Sequence, residues 1–504
     1  MNQIVGQNDR VACLVLKRVS ILVPVYNERH TIRTLLDKVR EAPLPPGYDR
    51  EIVIVDDHST DGTWEILHRD FSGDPKVRLF RHEKNCGKGA AIRTAIREAR
   101  GELAIFQDAD LEYDPNEYSH LLEPILNGHA DVVYGSRFAA SRVRRVLFFR
   151  HAVGNRILTF LSNLLTDLNL SDMETCYKAF RTDLLKSIPI RSNGFGLEPE
   201  ITAKVAKRGF RVYEIPISYY GRTYQEGKKI TWKDGLRALW VILKYWLIDD
   251  LYRDNDLRIL HSLNQTHRFN AWLAGTISPY LGERILEVGA GIGNISIHLL
   301  PREDYVCTDV EPLHIHSLGN LFSRRPNVEV RKLDIAAEVL DADLEGRFDT
   351  VICLNVLEHI QDQENALANM NRLLAPGGRM ILLVPNAPSL SCSLDDAVRH
   401  IRRYRKNEIG GLIRDAGFDL ERVWYFNRFS VLGWIWNGKV LHRRTFSRLQ
   451  LKIFDSLVWL WRLIDPWLPW PGQSIVSVAK KPGQAAVLPG HDSMGATMAG
   501  PFSG

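Results

Sequence analysis

Disulfide chemistry has little to work with in this chain. Its six cysteines, at positions 13, 86, 176, 307, 353 and 392, are scattered over 504 residues with no close pair. That spacing argues against a disulfide framework and against a zinc site, and it fits a reducing compartment. Long apolar runs are missing as well. No stretch reaches the roughly 18 residues a membrane-spanning helix needs, so no span is expected. The first 16 residues carry Asp9 and Arg10 ahead of a short apolar stretch, which is not the pattern of a secretory leader. Charge of one sign is also scarce: 65 basic against 60 acidic residues leave a formal +5, too weak a field to argue for nucleic acid. What remains is 45% hydrophobic and 25% charged, the mix of soluble globular domains, and long enough for at least two of them. The expected location is cytoplasmic, with any membrane contact peripheral and on the inner face.

Strand-like runs alternate with helix-like runs twice over, which predicts two layered α/β domains with largely parallel sheets. The first set comprises Val19–Val25, Glu51–Asp57, Val77–His82, Leu103–Asp108 and Asp131–Gly135. Between its first two members, Ile32, Leu35, Leu36 and Val39 recur at helical spacing. The second set comprises Arg284–Gly289, Asp304–Asp309, Val328–Asp334, Asp349–Asn355 and Arg379–Pro385. The expected boundaries are a domain over 17–250, a linker over 251–266, a domain over 267–481 and a tail rich in Gly, Ala, Pro and Ser over 482–504. Just before the linker, Leu236, Leu239, Trp240, Leu243 and Leu247 mark one face of an amphipathic helix.

The chemistry of the first half centres on Asp108-Ala109-Asp110, directly after the apolar run Leu103–Phe106. Ligands of open α/β sheets gather at the carboxyl ends of strands. Two carboxylates there can hold a hard divalent cation, Mg²⁺ or Mn²⁺, which would carry the charge of a departing nucleoside diphosphate. Glu112 is a further candidate ligand. Pro24-Val25-Tyr26-Asn27-Glu28 ends the first strand, and Val55-Asp56-Asp57 ends the second; capping of the helix that follows is the competing role for Asp56 and Asp57. Asn85-Cys86-Gly87-Lys88-Gly89 opens a helix, where glycines admit a close ligand and Lys88 favours an anion.

Taken in order, P-V-Y-N-E, V-D-D-x-S-x-D-G-T, N-x-G-K-G-A-A, Q-D-A-D-L-E-Y-D-P and Gly135-Ser136-Arg137 resemble family 2 glycosyltransferases of the GT-A fold. The likeness is greatest to the dolichyl- or polyprenyl-phosphate sugar synthases, and it covers about residues 17–235. It implies that Pro24, Tyr26, Glu28 and Asp57 frame the nucleoside of a nucleotide-sugar donor. It places Asp108 and Asp110 on the metal-diphosphate path, Arg137 near sugar or acceptor, and Asp172 and Lys178 on the acceptor side. Arg222, Lys228 and Lys229 correspond to a phosphate-gripping basic loop, and inversion at the anomeric carbon is implied. A lipid-phosphate acceptor needs no general base, whereas a glycan hydroxyl does; Asp172, Glu198 and Glu200 are the candidates for that role. Arg142, Arg144, Arg145 and Arg150, interleaved with Leu147, Phe148 and Phe149, suit either an anionic membrane surface or a solvated loop.

In the second half, Ile285-Leu286-Glu287-Val288-Gly289-Ala290-Gly291-Ile292-Gly293 reads as strand, glycine loop and helix start. Glu287 would repel a pyrophosphate but attract the amino group of a methionine moiety, which disfavours a dinucleotide. Asp309 ends the next strand and is placed to accept from ribose hydroxyls. With Lys332–Ile335, Phe348–His359 and Leu374–Gly378 in order, these residues resemble class I S-adenosylmethionine methyltransferases, a Rossmann-like fold, over about 265–425. The resemblance implies cofactor contacts from Glu287, Gly289, Gly291, Asp309, Asp334, Ile335 and Asn355. His359 is a candidate base, and His400, Arg402 and Tyr404 are candidate acceptor contacts. Six of the chain's 12 tryptophans fall in an insertion over 428–473, between antiparallel strands expected near Leu420–Asn427 and Ser474–Lys480. The insertion reads as a lid or membrane-interface hairpin, or as helices packed on the sheet.

The resulting expectation is a bifunctional enzyme acting on a nucleotide sugar, on S-adenosylmethionine and on a lipid-phosphate or glycan acceptor. The alternative keeps the sugar transferase and makes the second domain a non-catalytic scaffold or sensor that binds S-adenosylmethionine.

Overall fold

A computed structural model describes residues 17–139, 145–146, 149–223, 232–248, 250–251, 266–444 and 446–483. Arg142, Arg144, Leu147, Phe148, Lys228, Lys229, most of the expected linker and nearly all of the expected tail lie outside them. The chain divides into two compact units, Met1–Arg253 and Asp254–Gly504.

The first unit is built on a seven-stranded sheet. Its elements are β1 Lys17–Val25, α1 Ile32–Glu41, β2 Tyr48–Asp56, α2 Thr63–Phe71, β3 Val77–Arg81, α3 Lys88–Glu98, β4 Leu103–Phe106 and α4 Tyr118–Leu126. They continue with β5 Val132–Ser136, α5 Phe149–Thr166, β6 Lys178–Arg181, α6 Thr182–Ser187, α7 Leu197–Lys207, β7 Val212–Pro216 and α8 Trp232–Leu247. The spatial order is β3-β2-β1-β4-β6-β5-β7. β1 pairs in parallel with β2 and β4, and β6 runs antiparallel to both of its neighbours. The central strands are buried on both faces, which is why they read as unbroken apolar runs. Ile32, Leu35, Leu36 and Val39 form the buried stripe of α1. Strand order reverses between β1 and β4, so the crevice at their carboxyl ends receives Tyr26–Glu28 and Asp108–Asp110.

The second unit repeats the layer plan with a different order, β10-β9-β8-β11-β12-β14-β13. It comprises α9 His267–Ile277, β8 Arg284–Val288, α10 Ser296–Leu299, β9 Asp304–Asp309, α11 Pro312–Phe322, β10 Val328–Lys332, β11 Phe348–Leu354 and α12 Gln363–Leu373. After these come β12 Leu374–Pro385, α13 Ser393–Ala397, α14 Lys406–Asp415, β13 Asp419–Phe426, α15 Ser430–Trp434, α16 Arg448–Ser456, α17 Val458–Ile464 and β14 Ser474–Lys480. The two closing strands are antiparallel where the sequence predicts them, and the last inserts between β12 and β13, a placement the sequence does not give. The order reverses between β8 and β11, and the glycine loop sits at that point.

The tryptophan-rich stretch is helical and packs on α9. Asp455 accepts the Phe269 N–H at 3.0 Å, Phe454 meets the Phe269 ring, and Phe429 stacks on Trp461 at 3.4 Å. Trp436, Trp459 and Trp467 remain exposed.

Candidate functional site

In the first unit, Asp108 and Asp110 face one cavity of about 1540 Å³, together with Pro24, Tyr26, Glu28, Asp57, Lys88 and Glu112. β4 ends just ahead of the pair, and Leu111 takes a left-handed turn (φ 62°) that separates Asp110 from Glu112. Lys88, the first residue of α3, lies 3.0 Å from Asp108 and 3.0 Å from Glu198. Burial works against its charge, but those two carboxylates outweigh it and hold the ammonium well above its ordinary value. Arg222 lies 3.2 Å from Asp110 and 3.4 Å from Glu28. Asp110 is pushed up to about 7 by burial and by the charges of Asp108 and Glu112, which Arg222 only partly offsets.

Two expected site residues have other duties. Glu112 accepts the Arg222 backbone N–H at 2.8 Å and the Tyr219 hydroxyl at 2.7 Å, one on each oxygen, so it fastens the 219–222 segment as well as lining the cavity. Asp57 does not cap the following helix: it takes the N–H groups of Cys86 (2.9 Å) and Gly87 (2.6 Å) and the imidazole of His82 (2.7 Å). It thereby fixes the loop that leads into Lys88. Gly87 has φ 93°, and a Cβ there would run into the Asn193 carbonyl, so the loop admits no side chain at that position.

The acceptor-side expectations change more. Asp172 is fully buried and grips Arg137 through two bonds, Nε at 2.6 Å and Nη2 at 2.7 Å. Arg137 lines the cavity, with Tyr219 under its guanidinium at 5.2 Å, so Asp172 acts through it and not as a base. Lys178 is buried, and its ammonium donates to the carbonyls of Met173 and Thr175; burial lowers its pKa. Glu200 pairs with Lys204 at 2.7 Å one helical turn on and accepts the N–H groups of Arg191 and Ser192, a structural role. Of the three candidate bases only Glu198 reaches the cavity.

Sequence reasoning passed over Glu174, which also lines the cavity. Its Oε1 is buried without a partner, and burial plus the Glu198 carboxylate push the group up to about 8. An acid raised from its ordinary 4.5 contributes stability that is complete below that value and is lost as pH climbs to about 8. Glu174→Gln removes this loss. Its melting temperature relative to the unaltered chain should therefore rise steadily between about pH 5 and 8, as measured by thermal denaturation; a constant difference would contradict the assignment.

The cavity's outer wall has a different character. Arg145, Arg150 and Arg156 line it, and Arg150 and Arg156 are exposed on α5. Around them Phe149, Ile157, Phe160 and Leu164 of α5 and Trp232, Leu236, Trp240, Leu243 and Leu247 of α8 are exposed. The amphipathic segment foreseen before the linker thus turns most of its marked face outward; α8 buries Ala238, Val241, Ile242 and Tyr245 instead. Among the described residues, no helix is long and apolar enough to cross a membrane.

In the second unit, Gly289 (φ 69°) and Gly291 (φ 59°) shape the loop after β8, and a Cβ on Gly289 would overlap Val356. Glu287 is buried, and its Oε2 accepts the hydroxyls of Ser296 at 2.6 Å and Tyr305 at 2.8 Å; burial still holds its pKa above the usual value. Asp309 accepts the Gly291 N–H at 2.9 Å, the Glu311 N–H at 3.0 Å and His314 Nδ1 at 3.0 Å. Burial opposes its charge, but the His314 contact and those N–H groups outweigh it and lower its pKa. His314 is a residue sequence reasoning missed; its signal was a histidine five positions past the acid, in the first turn of α11. Asn355 is exposed with φ 54°, Asp334 is exposed and Ile335 is buried. His359 is exposed at the end of a short helical turn rather than seated on a helix side. Tyr404 is fully buried, its hydroxyl donating to Gln363 at 2.9 Å, so it is not an open acceptor contact, while the half-exposed Arg402 donates from Nη2 to the Gln361 carbonyl.

Comparison with known proteins agrees with both halves. Residues 20–188 match the family model described as glycosyl transferase family 2, and residues 286–380 match one described as a methyltransferase domain. A dolichol-phosphate mannosyltransferase of Pyrococcus furiosus is 29% identical over 213 residues, 42% of this chain and 59% of that protein. An undecaprenyl-phosphate mannosyltransferase of Micrococcus luteus is 29% identical over 221 residues, 42% of this chain and 87% of that protein. The alignment thus spans less than two thirds of the Pyrococcus protein. Among solved structures, glucosyl-3-phosphoglycerate synthase from Mycobacterium tuberculosis, in complex with Mn²⁺ and UDP, is 21% identical. That match covers 46% of this chain and 81% of that one, with a TM-score of 0.37.

Proposed function

We propose that this chain, which carries a family 2 glycosyl transferase domain and a methyltransferase domain, transfers a sugar from a nucleotide-sugar donor to a lipid phosphate, and a methyl group from S-adenosylmethionine to a second acceptor. The observation that carries the first half is the shared cavity of Asp108 and Asp110. Glu28, Glu112 and Glu198 line it beside the pair, and among the described residues Lys88 and Arg222 are the cations ion-paired with this group of acids. Oxygen donors in excess of the local positive charge fit a hard divalent cation, Mg²⁺ or Mn²⁺. Asp108 and Asp110 would hold it, and it would supply neutralisation of the diphosphate.

The protein's own residues do the rest. Tyr26, Glu28 and the Asp57-braced loop frame the nucleoside, and Arg137, locked by Asp172, points a rigid guanidinium at sugar or acceptor. A lipid phosphate arrives already ionised, so the cavity needs no base for it. The outer wall of Arg145, Arg150 and Arg156 set among exposed aromatic and leucine side chains suits an anionic headgroup with its chain in a lipid interface. Peripheral contact through α5 and α8 follows from the same surface. Inversion would follow from a single in-line displacement.

In the second unit the glycine loop, Glu287 and Asp309 would bind S-adenosylmethionine. An activated sulfonium asks mainly for alignment of the acceptor behind the methyl group.

The test is transfer of labelled sugar from UDP- and GDP-sugars to polyprenyl phosphate in anionic vesicles with Mg²⁺ or Mn²⁺. Label should enter the lipid. The Arg150→Glu, Arg156→Glu double variant should raise KM for the lipid about tenfold or more, with little change in kcat, and should release the protein from floated vesicles. Label appearing only in water-soluble glycans would overturn the lipid-phosphate reading.

A further inference from the structure

The second unit contains a buried acid that the donor loops do not use. Glu358, in the short helical turn Leu357–His359, is fully buried, and neither of its carboxylate oxygens has a hydrogen-bond partner. A carboxylate is rarely left so without a cation to meet it. Facing it is His400. The His400 Nε2 lies 3.7 Å from Glu358 Oε1, too far for a hydrogen bond. The other ring nitrogen, Nδ1, lies 2.8 Å from Asp395 Oδ1. That bond places the proton on Nδ1 and turns the Nε2 lone pair toward Glu358, the arrangement in which a carboxylate orients a ligating imidazole. The ring of His359 stands edge-on to that of His400 at 5.0 Å. One donor atom from each of Glu358, His359 and His400 falls within 4.8 Å of the others.

Two ligands of a tetrahedral metal, each about 2.1 Å from it, sit about 3.4 Å apart. The 3.7 Å between Glu358 and His400 is close to that. Arg403, a nearby cation whose charge reaches Glu358, makes no hydrogen bond to it: its Nε donates to Asp395 at 2.8 Å, its Nη1 to the Asn386 carbonyl at 2.8 Å, its guanidinium lies over Trp434, and its Nη2 is buried without a hydrogen-bond partner. The comparable trio Asp57, His82 and Cys86 differs, because both His82 nitrogens are already taken, by Asp57 at 2.7 Å and by Thr94 at 3.0 Å.

We infer that Glu358, His359 and His400 bind a divalent metal ion, with Asp395 as the positioning residue for His400. Two imidazoles and a carboxylate suit zinc, iron or cobalt, and three protein ligands leave a position open. The site stands at the carboxyl end of β11, beside Val356, whose side chain packs against Gly289 of the donor loop. Its role rests on the methyl-transfer reading above. The open position takes a hydroxyl oxygen of the acceptor and lowers its pKa, so its proton passes to water. The oxygen lone pair then forms the new O–CH₃ bond as the S–CH₃ bond breaks, and the sulfonium leaves as a neutral thioether.

Titration of the chelator-stripped full chain with Co²⁺ alone tests the site. Visible absorption of a nitrogen-ligated Co²⁺ should rise to saturation, since the carboxylate cluster of the other unit offers Co²⁺ no nitrogen. It should vanish in Glu358→Gln and His400→Ala, and the affinity should fall by roughly 10- to 100-fold in Asp395→Asn. It should persist in Asp110→Asn, which alters the carboxylate cluster of the other unit. Glu358→Gln keeps the shape and removes a buried charge, so it reports even if His400→Ala misfolds. Unchanged absorption in Glu358→Gln and His400→Ala, or none in the unaltered chain, would overturn the site. Co²⁺ bound in the expected pattern without methyl transfer to any hydroxyl acceptor would overturn the assigned role while leaving the ion in place.

Discussion

Asp110→Asn should lower the initial rate of sugar transfer by about 10²–10³-fold or more, the scale seen when a preorganised electrostatic contact to a leaving group is removed. It should do so without weakening the fold. Asp110 is buried beside Asp108 and Glu112, and its pKa of about 7 records how much burial, and then those neighbours, resist its charge. Asparagine keeps the shape and ends the repulsion. Above pH 7 the variant should therefore melt at or above the temperature of the unaltered chain while its turnover collapses. Rate assays and thermal melts on one preparation decide the matter. Turnover within threefold of the unaltered chain would remove Asp110 from the reaction, and a large fall in melting temperature would make it a structural residue.

Arg137→Ala should cost about 3–5 kcal/mol of stability, because it strands a fully buried carboxylate at Asp172. Little in the structure can take over: Asn155 donates one bond to Asp172 at 3.2 Å and the Arg137 backbone N–H another at 3.1 Å, and neither brings a charge. Arg137→Lys should recover part of the loss but not the two-pronged grip. The double replacement Arg137→Ala, Asp172→Ala should be less destabilised than the sum of the single ones. Denaturant titration of the full chain, read for its first unit, measures all three. Additive losses would show that the pair is not coupled.

The strands were legible because those nearest the middle of each sheet are buried on both faces and are written as apolar runs. β6 and β7 escaped notice. Lys178–Arg181 has only two apolar residues, and its place between β4 and β5 depends on antiparallel pairing with segments more than 40 positions away. Val212–Pro216 is half-buried at the sheet edge and lacks the alternation that a solvent-facing strand would show. In the site, the Asp108/Asp110 pair could be read because both acids sit directly after a strand that ends at the crevice. The partnership of Arg137 with Asp172 could not, since 35 residues separate them and only the fold brings them together. Glu200 carried a readable warning: Lys204 stands one helical turn on, the spacing of an internal ion pair. On α8 the periodicity of leucine and tryptophan was real, but a second stripe, Ala238, Val241, Ile242 and Tyr245, took the interior.

Lys88 and Arg222 give the acidic cleft a pair of resident counterions. Lys88 bridges Asp108 and Glu198, and Arg222 meets Glu28, Asp110 and Glu112. Part of the acids' charge is therefore compensated from within the fold. On the proposed reading, an incoming cation would compete with these side chains, and those it displaced would be freed to meet the diphosphate that follows. Binding would then be an exchange of partners, in which the same two residues guard the acids at rest and face the leaving group at work.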